Sequence, residues 1–303
     1  MKFGFSIYSL WNAMRRGEMT VEEAFAWIAE NGGDHIEIID FGPQETPEKL
    51  AELSKKYNLP ISAYSIGSML AQGDEANYEA ELTRLKGEID KARTMGAKLV
   101  RCDMVRVMMG RGETGVEIYD RIFPMMVKGA RELADYAAQF DMEISIENHG
   151  TLMNGAERVK RLLLAVDRPN YGCTVDIGNV LCVDEDPEVC VEELIPFAKR
   201  VHIKDFYVRK DGYAIGAKSM ADSKNNDPGA LGDGSWLTTR HKRFLRGAII
   251  GHGDIDMRAV LQKVVDSGYD GDLTIEFEGM EEPTLACKLS MANLRQIVAM
   301  CKN

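Results

Sequence analysis

Glu147, Asp176, His202 and Glu276 lie in or at the ends of four apolar runs, 142-MEISIENHG-150, 172-GCTVDIGN-179, 200-RVHIKD-205 and 272-DLTIEFEG-279. Three carboxylates and one imidazole are costly to bury without a cation, and as a set they suit a divalent ion. Mn²⁺ is the first choice, with Co²⁺, Mg²⁺ or Zn²⁺ as alternatives. The competing reading is a salt-bridged network in which Lys204 and Arg101 neutralise the acids. Side chains alternate along a strand, so Ser145, Glu147 and His149 share one face while Ile144, Ile146 and Asn148 share the other. His149 is therefore a candidate base beside Glu147, or else a cap for the loop that follows. Lys204, on the face of His202, can bind an oxyanion or donate a proton, or simply pair with Glu276 or Glu278.

Positioning these residues requires an orderly scaffold. The chain alternates short β-branched or apolar runs with amphipathic helical runs. Eight strands are expected, at 3–9, 34–40, 60–66, 98–103, 142–148, 171–177, 199–205 and 272–278. Thr20, with Glu23 three residues on, opens a helix; Pro124 is a kink candidate in a long helix from about 117; a last helix covers about 283–301. Strict strand–helix alternation over 303 residues favours a single-domain (β/α)8 barrel over a doubly wound sheet. The sequence has no Walker loop. In such barrels the C-terminal strand ends carry the active site, which is where the four candidate ligands fall.

Residues 206–250 interrupt the rhythm. This stretch includes 222-DSKNNDPGALGDGSW-236 and 239-TRHKRFLRGAII-250. A connection this long after the seventh strand is expected to be a substrate-covering loop, with a solvated surface insertion as the alternative.

Composition narrows the partners. With 48 acidic against 37 basic residues the formal net charge is −11, which argues against phosphate backbones and anionic lipid. Neither a signal peptide nor a membrane span is evident, so a cytoplasmic protein is expected. The six cysteines lack CxxC spacing and are expected to be reduced core residues.

The order IEN, VDIGN, VHIKD, G-x-G and 268-GYDGDLTIEFEG-279, with 32-GGDHIEI-38 at the second strand, resembles the xylose isomerase-like barrel superfamily of sugar phosphate isomerases and epimerases. That group also includes inosose dehydratases, enzymes cleaving 3-oxo-glycosides, and endonuclease IV. The resemblance implies that Glu147, Asp176, His202 and Glu276 bind the metal. It further implies that Glu147 and Glu276 exchange a proton with the carbon beside a carbonyl, through a metal-stabilised ene-diolate. His149 and Lys204 join them as candidate catalytic residues. Asn179 stands where many members carry histidine; an amide binds a sugar hydroxyl better than zinc, and the five histidines are too few for a three-metal nuclease. Asn179, Glu37, Arg246 and His252 are expected to bind substrate. A sugar isomerase or epimerase is thus expected, acting on a small sugar or cyclitol, with a metal-dependent dehydratase or lyase as the alternative and a non-catalytic binding subunit as the third reading. A homo-oligomer is left open.

Overall fold

Eight runs whose side chains alternate between polar and apolar close into a parallel barrel. The computed structural model describes residues 1–40, 45–71, 75–105, 115–210, 218–219, 236–241 and 243–302. The chain begins with β1 (Lys2–Ser6), β2 (His35–Ile39), β3 (Ile61–Ile66), β4 (Leu99–Cys102), β5 (Glu143–Glu147), β6 (Tyr171–Asp176) and β7 (Ala198–Ile203). Four strands of a separate sheet come next: β8 (Asp205–Arg209), β9 (Lys218–Ser219), β10 (Leu237–Thr238) and β11 (Phe244–Ala248). The barrel is completed by β12 (Asp272–Ile275), and its order is β1-β12-β7-β6-β5-β4-β3-β2.

Helices cover the outside: α1 (Trp11–Arg15), α2 (Val21–Glu30), α3 (Pro47–Tyr57), α4 (Glu75–Met95), α5 (Gly115–Ala138), α6 (Ala156–Val166), α7 (Pro187–Leu194), α8 (Met257–Asp266) and α9 (Pro283–Cys301). Their starts follow from local chemistry. Thr20 and Glu23 form a reciprocal capping box at α2, while Thr46, Asp186 and Glu282 cap α3, α7 and α9 just ahead of prolines. α5 runs as one helix through Pro124.

Strand alternation sorts the side chains into two environments. Ile36, Ile144, Ile146, Val175, Val201, Leu273 and Ile275 are fully buried, and each contributes roughly 1.5–3 kcal/mol by leaving water. The opposite faces fill the barrel with polar groups. His202 on β7 reaches Glu37 on β2 at 2.7 Å; those strands are not neighbours, so both side chains point inward. Gly4 keeps β1 close to β2, since a Cβ there would sit 2.3 Å from the His35 carbonyl oxygen. All six cysteines are buried and free of disulfides.

The segment at 206–250 differs from the expected loop. β8 starts two residues after β7 and pairs antiparallel with β11 from Asp205↔Ala248 to Arg209↔Phe244. Both ends of the excursion are therefore sheet, fixed by backbone hydrogen bonds. Asp205 holds the return, accepting from the amides of Phe206, Gly251 and Gly253 at 2.8–2.9 Å. Asp184 clamps the turn at 239–243, accepting from the Thr239 hydroxyl and the His241 amide, each at 2.7 Å. Most of the glycine- and aspartate-rich centre, 211–217 and 220–235, lies outside the described residues.

Candidate metal centre and active site

Barrel register brings the four candidate ligands together. Asp176 pairs with His202, Thr274 with His202, and Glu147 with Thr174. One ligand atom from each of Glu147, Asp176, His202 and Glu276 lies within 4.8 Å of the others, and all four residues are buried. His202 turns Nδ1 to Glu147 Oε1 (2.7 Å) and Glu276 Oε1 (3.5 Å), and Nε2 to Glu37 Oε2 (2.7 Å). Asp176 Oδ1 accepts from the amides of Gly178 and Asn179, but Oδ2 is buried without a hydrogen bond. A carboxylate oxygen with no hydrogen bond and only Lys204 Nζ at 3.4 Å, set among two further carboxylates and an imidazole, fits a divalent cation.

Local contacts hold this set rigid. The Asn148 side chain brackets the end of β6, donating to the Asp176 carbonyl and accepting from the Asp176 amide, each at 2.8 Å. Glu37 sits behind His202, accepting also from Arg200 (2.8 Å) and from the Ser65 hydroxyl (2.6 Å). A carboxylate behind a ligating imidazole fixes its tautomer and orientation.

The neutralising network is realised around the same residues. Arg101 reaches Glu147 at 2.6 Å and Asp103 at 2.7 Å. Lys204 lies 2.9 Å from Glu276, 3.4 Å from Asp176 and 3.2 Å from Glu278. Burial pushes the Asp176 carboxyl up to about 6, against the pull of Lys204. Burial acts the same way on Glu276, yet Lys204 and His202 bring it down to about 2. His202 is pushed the other way by burial, but Glu37, Glu276 and Glu147 hold it well above the ordinary imidazole range.

A second pair adjoins the first. His149 Nδ1 lies 3.0 Å from Asp103 Oδ2, and Asp103, Glu147 and His149 form a second close group. His149 is half exposed and Asp103 largely covered; desolvation opposes ionisation of both, yet Arg101 and His149 lower Asp103 to about 2 and Asp103 raises His149. Among the described residues the imidazole is held by one nitrogen, Nδ1.

The expected substrate-binding residues divide. Asn179 stays at the mouth, with Oδ1 accepting from Lys204 at 3.2 Å. Glu37 requires correction: it is fully buried and both its oxygens are engaged, so it supports His202 rather than meeting substrate. Neither Arg246 nor His252 is among the described groups that contact the four ligands. Arg246 belongs to β11, its guanidinium 5.2 Å from the ring centroids of both Tyr207 and Trp236. His252 is exposed in an outer groove with Asn293, Gln296 and Met300 of α9. Sequence reasoning missed Asp103, Asn148, Ser65 and Arg200. Arg200 and Ser65 carried a readable signal, as polar residues at inward strand positions.

The sequence model of the family described as "Xylose isomerase-like TIM barrel" matches residues 25–297. The chain belongs to that family. Among xylose isomerase-like relatives, "Inosose dehydratase" of Lactiplantibacillus plantarum (strain ATCC BAA-793 / NCIMB 8826 / WCFS1) is 26% identical over 285 residues, covering 90% of this chain and 86% of its own. Solved barrels of the same shape include the IolI protein with a bound zinc atom, at TM-score 0.75 and 17% identity, covering 99% of both chains. L-ribulose 3-epimerase follows at TM-score 0.72 and 14% identity, covering 99% of this chain and 95% of its own. Its relatives in this family are thus enzymes, and the likeness to the solved structures is one of fold. No helix among the described residues is long and apolar enough to cross a membrane.

Proposed function

We propose that the protein is a divalent-metal-dependent dehydratase of a small keto-cyclitol or keto-sugar. The observation that carries this is the His149–Asp103 pair beside the buried Glu147–Asp176–His202–Glu276 cluster. Glu147, Asp176, Glu276 and His202 Nδ1 would hold the ion, which when bound polarises a carbonyl and lowers the barrier to removing the adjacent proton. Glu276, oriented by Lys204, takes the proton from carbon. Arg101, 2.6 Å away, holds Glu147 in place. His149, held by Asp103, gives a proton to the departing β-hydroxyl, which leaves as water while the C–H electron pair becomes the new double bond. The full-length similarity to an inosose dehydratase supports this direction.

Epimerisation is the second reading, favoured by the presence of two carboxylates, Glu147 and Glu276, that can trade one proton. A single assay separates them. A Mn²⁺-loaded sample is incubated with inososes, ketoses and 3-oxo-glycosides in deuterated water and the products are weighed by mass spectrometry. Dehydration removes the mass of one water and is lost in His149→Ala; epimerisation keeps the carbon skeleton's oxygens and adds deuterium. Deuterium uptake with no loss of water from any substrate would discard the dehydratase reading.

A further inference from the structure

One polar arc at the mouth is unused by the proton transfers above. Asn179, on the 3₁₀ turn Asn179–Val183 after β6, is 4% exposed, and its Nδ2 has no hydrogen-bond partner. Glu278, two residues beyond Glu276, accepts from Lys204 Nζ at 3.2 Å and from the Tyr8 hydroxyl. Tyr8 comes from the turn Ile7–Leu10 after β1. The arc therefore joins four elements on the opposite side of the centre from Arg101, Asp103 and His149.

Its hydrogen-bonding capacity is specific. Lys204 has three N–H donors, and Glu276, Asn179 and Glu278 lie 2.9, 3.2 and 3.2 Å from Nζ, so all three are taken. Arg101, across the centre, contacts Asp103 and Glu147. What remains is a buried amide donor and a carboxylate acceptor. A buried N–H without an acceptor is disfavoured, and a ligand oxygen relieves it.

We propose that Asn179, Glu278 and Tyr8, with Lys204 between them, form a subsite for adjacent hydroxyls of an uncharged polyol ring, and that it discriminates against phosphorylated substrates. The proposal rests on reading the neighbouring centre as acting on a keto-cyclitol or keto-sugar. A hydroxyl both accepts and donates, so one can take the Asn179 N–H while its neighbour donates to Glu278. A phosphate only accepts and carries a charge between −1.5 and −2 near neutral pH. It would meet Glu278, Glu276 and Asp176, while Lys204, the cation within the arc, already has Glu276, Asn179 and Glu278 as partners.

The test is calorimetric binding to the Mn²⁺-loaded protein, with myo-inositol as neutral probe and myo-inositol 1-phosphate as its anionic counterpart. Wild type should bind the neutral ring at least about tenfold more tightly. Asn179→Ala and Glu278→Gln should each weaken it about tenfold at unchanged metal content, and Glu278→Gln should also narrow the preference against phosphate. Tyr8→Phe, which removes one hydroxyl, should weaken it two- to threefold, on the order of one neutral hydrogen bond, and it decides the matter if Asn179→Ala does not fold. Equal or tighter binding of the phosphate by wild type, no binding of the neutral ring, or wild-type affinity in the folded variants would overturn the subsite. Inosose turnover measured in parallel separates the two readings. Binding that the variants weaken, without turnover by wild type, retains the subsite and discards dehydration; turnover with unchanged KM in the variants does the reverse.

Discussion

Replacing Glu37 with glutamine tests whether the metal centre depends on what stands behind it. Glu37 is fully buried, and its Oε2 serves both His202 (2.7 Å) and Arg200 (2.8 Å) while Oε1 takes the Ser65 hydroxyl (2.6 Å). Burial disfavours its charge, but His202, Arg200 and Ser65 keep its carboxyl below the ordinary range. Glutamine keeps the shape and one acceptor oxygen and removes the charge. Arg200 then retains Asp272 at 3.1 Å as its ion-pair partner. Removing one member of a buried pair costs about 3–5 kcal/mol when nothing else compensates. Because Asp272 remains, a loss near 3 kcal/mol in stability is expected. The imidazole also loses the carboxylate that fixes its tautomer, which weakens metal binding by about 10–100-fold, or roughly 1.4–2.7 kcal/mol. Competition with a fluorescent chelator gives the Mn²⁺ affinity, and calorimetric unfolding with and without metal gives the stability. Ser65→Ala is the control: it removes one hydrogen bond, worth about 1 kcal/mol, and should change affinity only a few-fold. A Glu37→Gln protein that binds Mn²⁺ within twofold of wild type would refute the supporting role of Glu37.

Metal uptake should release about one proton near neutral pH, because His202 is held charged by Glu37, Glu276 and Glu147 and must be neutral to ligate. Affinity should therefore rise with pH, and calorimetry in buffers of different ionisation heats would show otherwise if no proton left. Asp184→Ala should free the turn at 239–243 and raise KM about tenfold while metal content stays at the wild-type value; an unchanged KM would separate this turn from substrate covering. Gly247→Ala places a Cβ 2.4 Å from the backbone carbonyl of Glu278, so a stability loss of about 1–3 kcal/mol and weaker cyclitol binding are expected by thermal melts and calorimetry. Abasic duplex DNA should stay intact with this protein and Mn²⁺ on a denaturing gel, given the formal charge of −11.

The barrel was legible because its two faces obey different rules. Each strand needs an apolar outer face under a helix, so runs such as Ile144 and Ile146 mark it, and any charge in the alternate positions must point into the lumen. The same logic exposed Glu147, Asp176, His202 and Glu276, which the structure brings within 4.8 Å. It could not rank the inward residues by depth. Glu37 precedes the end of β2 by two residues and is paired with Ser6 and Ala63 below the mouth, so a carboxylate read as meeting substrate instead braces His202.

The excursion was illegible for a different reason. β9 and β10 are two residues long, too short for any periodicity, and β8 pairs with β11 across an intervening stretch of more than thirty residues. Such pairing is specified by tertiary anchors and leaves little trace in local propensity. Asp205 is one such anchor: its carboxylate gathers the amides of Gly251 and Gly253, which turns His252 outward and away from the centre. The glycines flanking His252 in 247-GAIIGHGDID-256 therefore signal a backbone held against a carboxylate. Arg246 follows from the same constraint, because β11 must pair with β8 and approach Gly279, and this register sets its guanidinium over Tyr207 and Trp236. A charged residue in a strand of the outer sheet is placed by its neighbours' backbone, whereas one inside a closed barrel is placed by alternation alone.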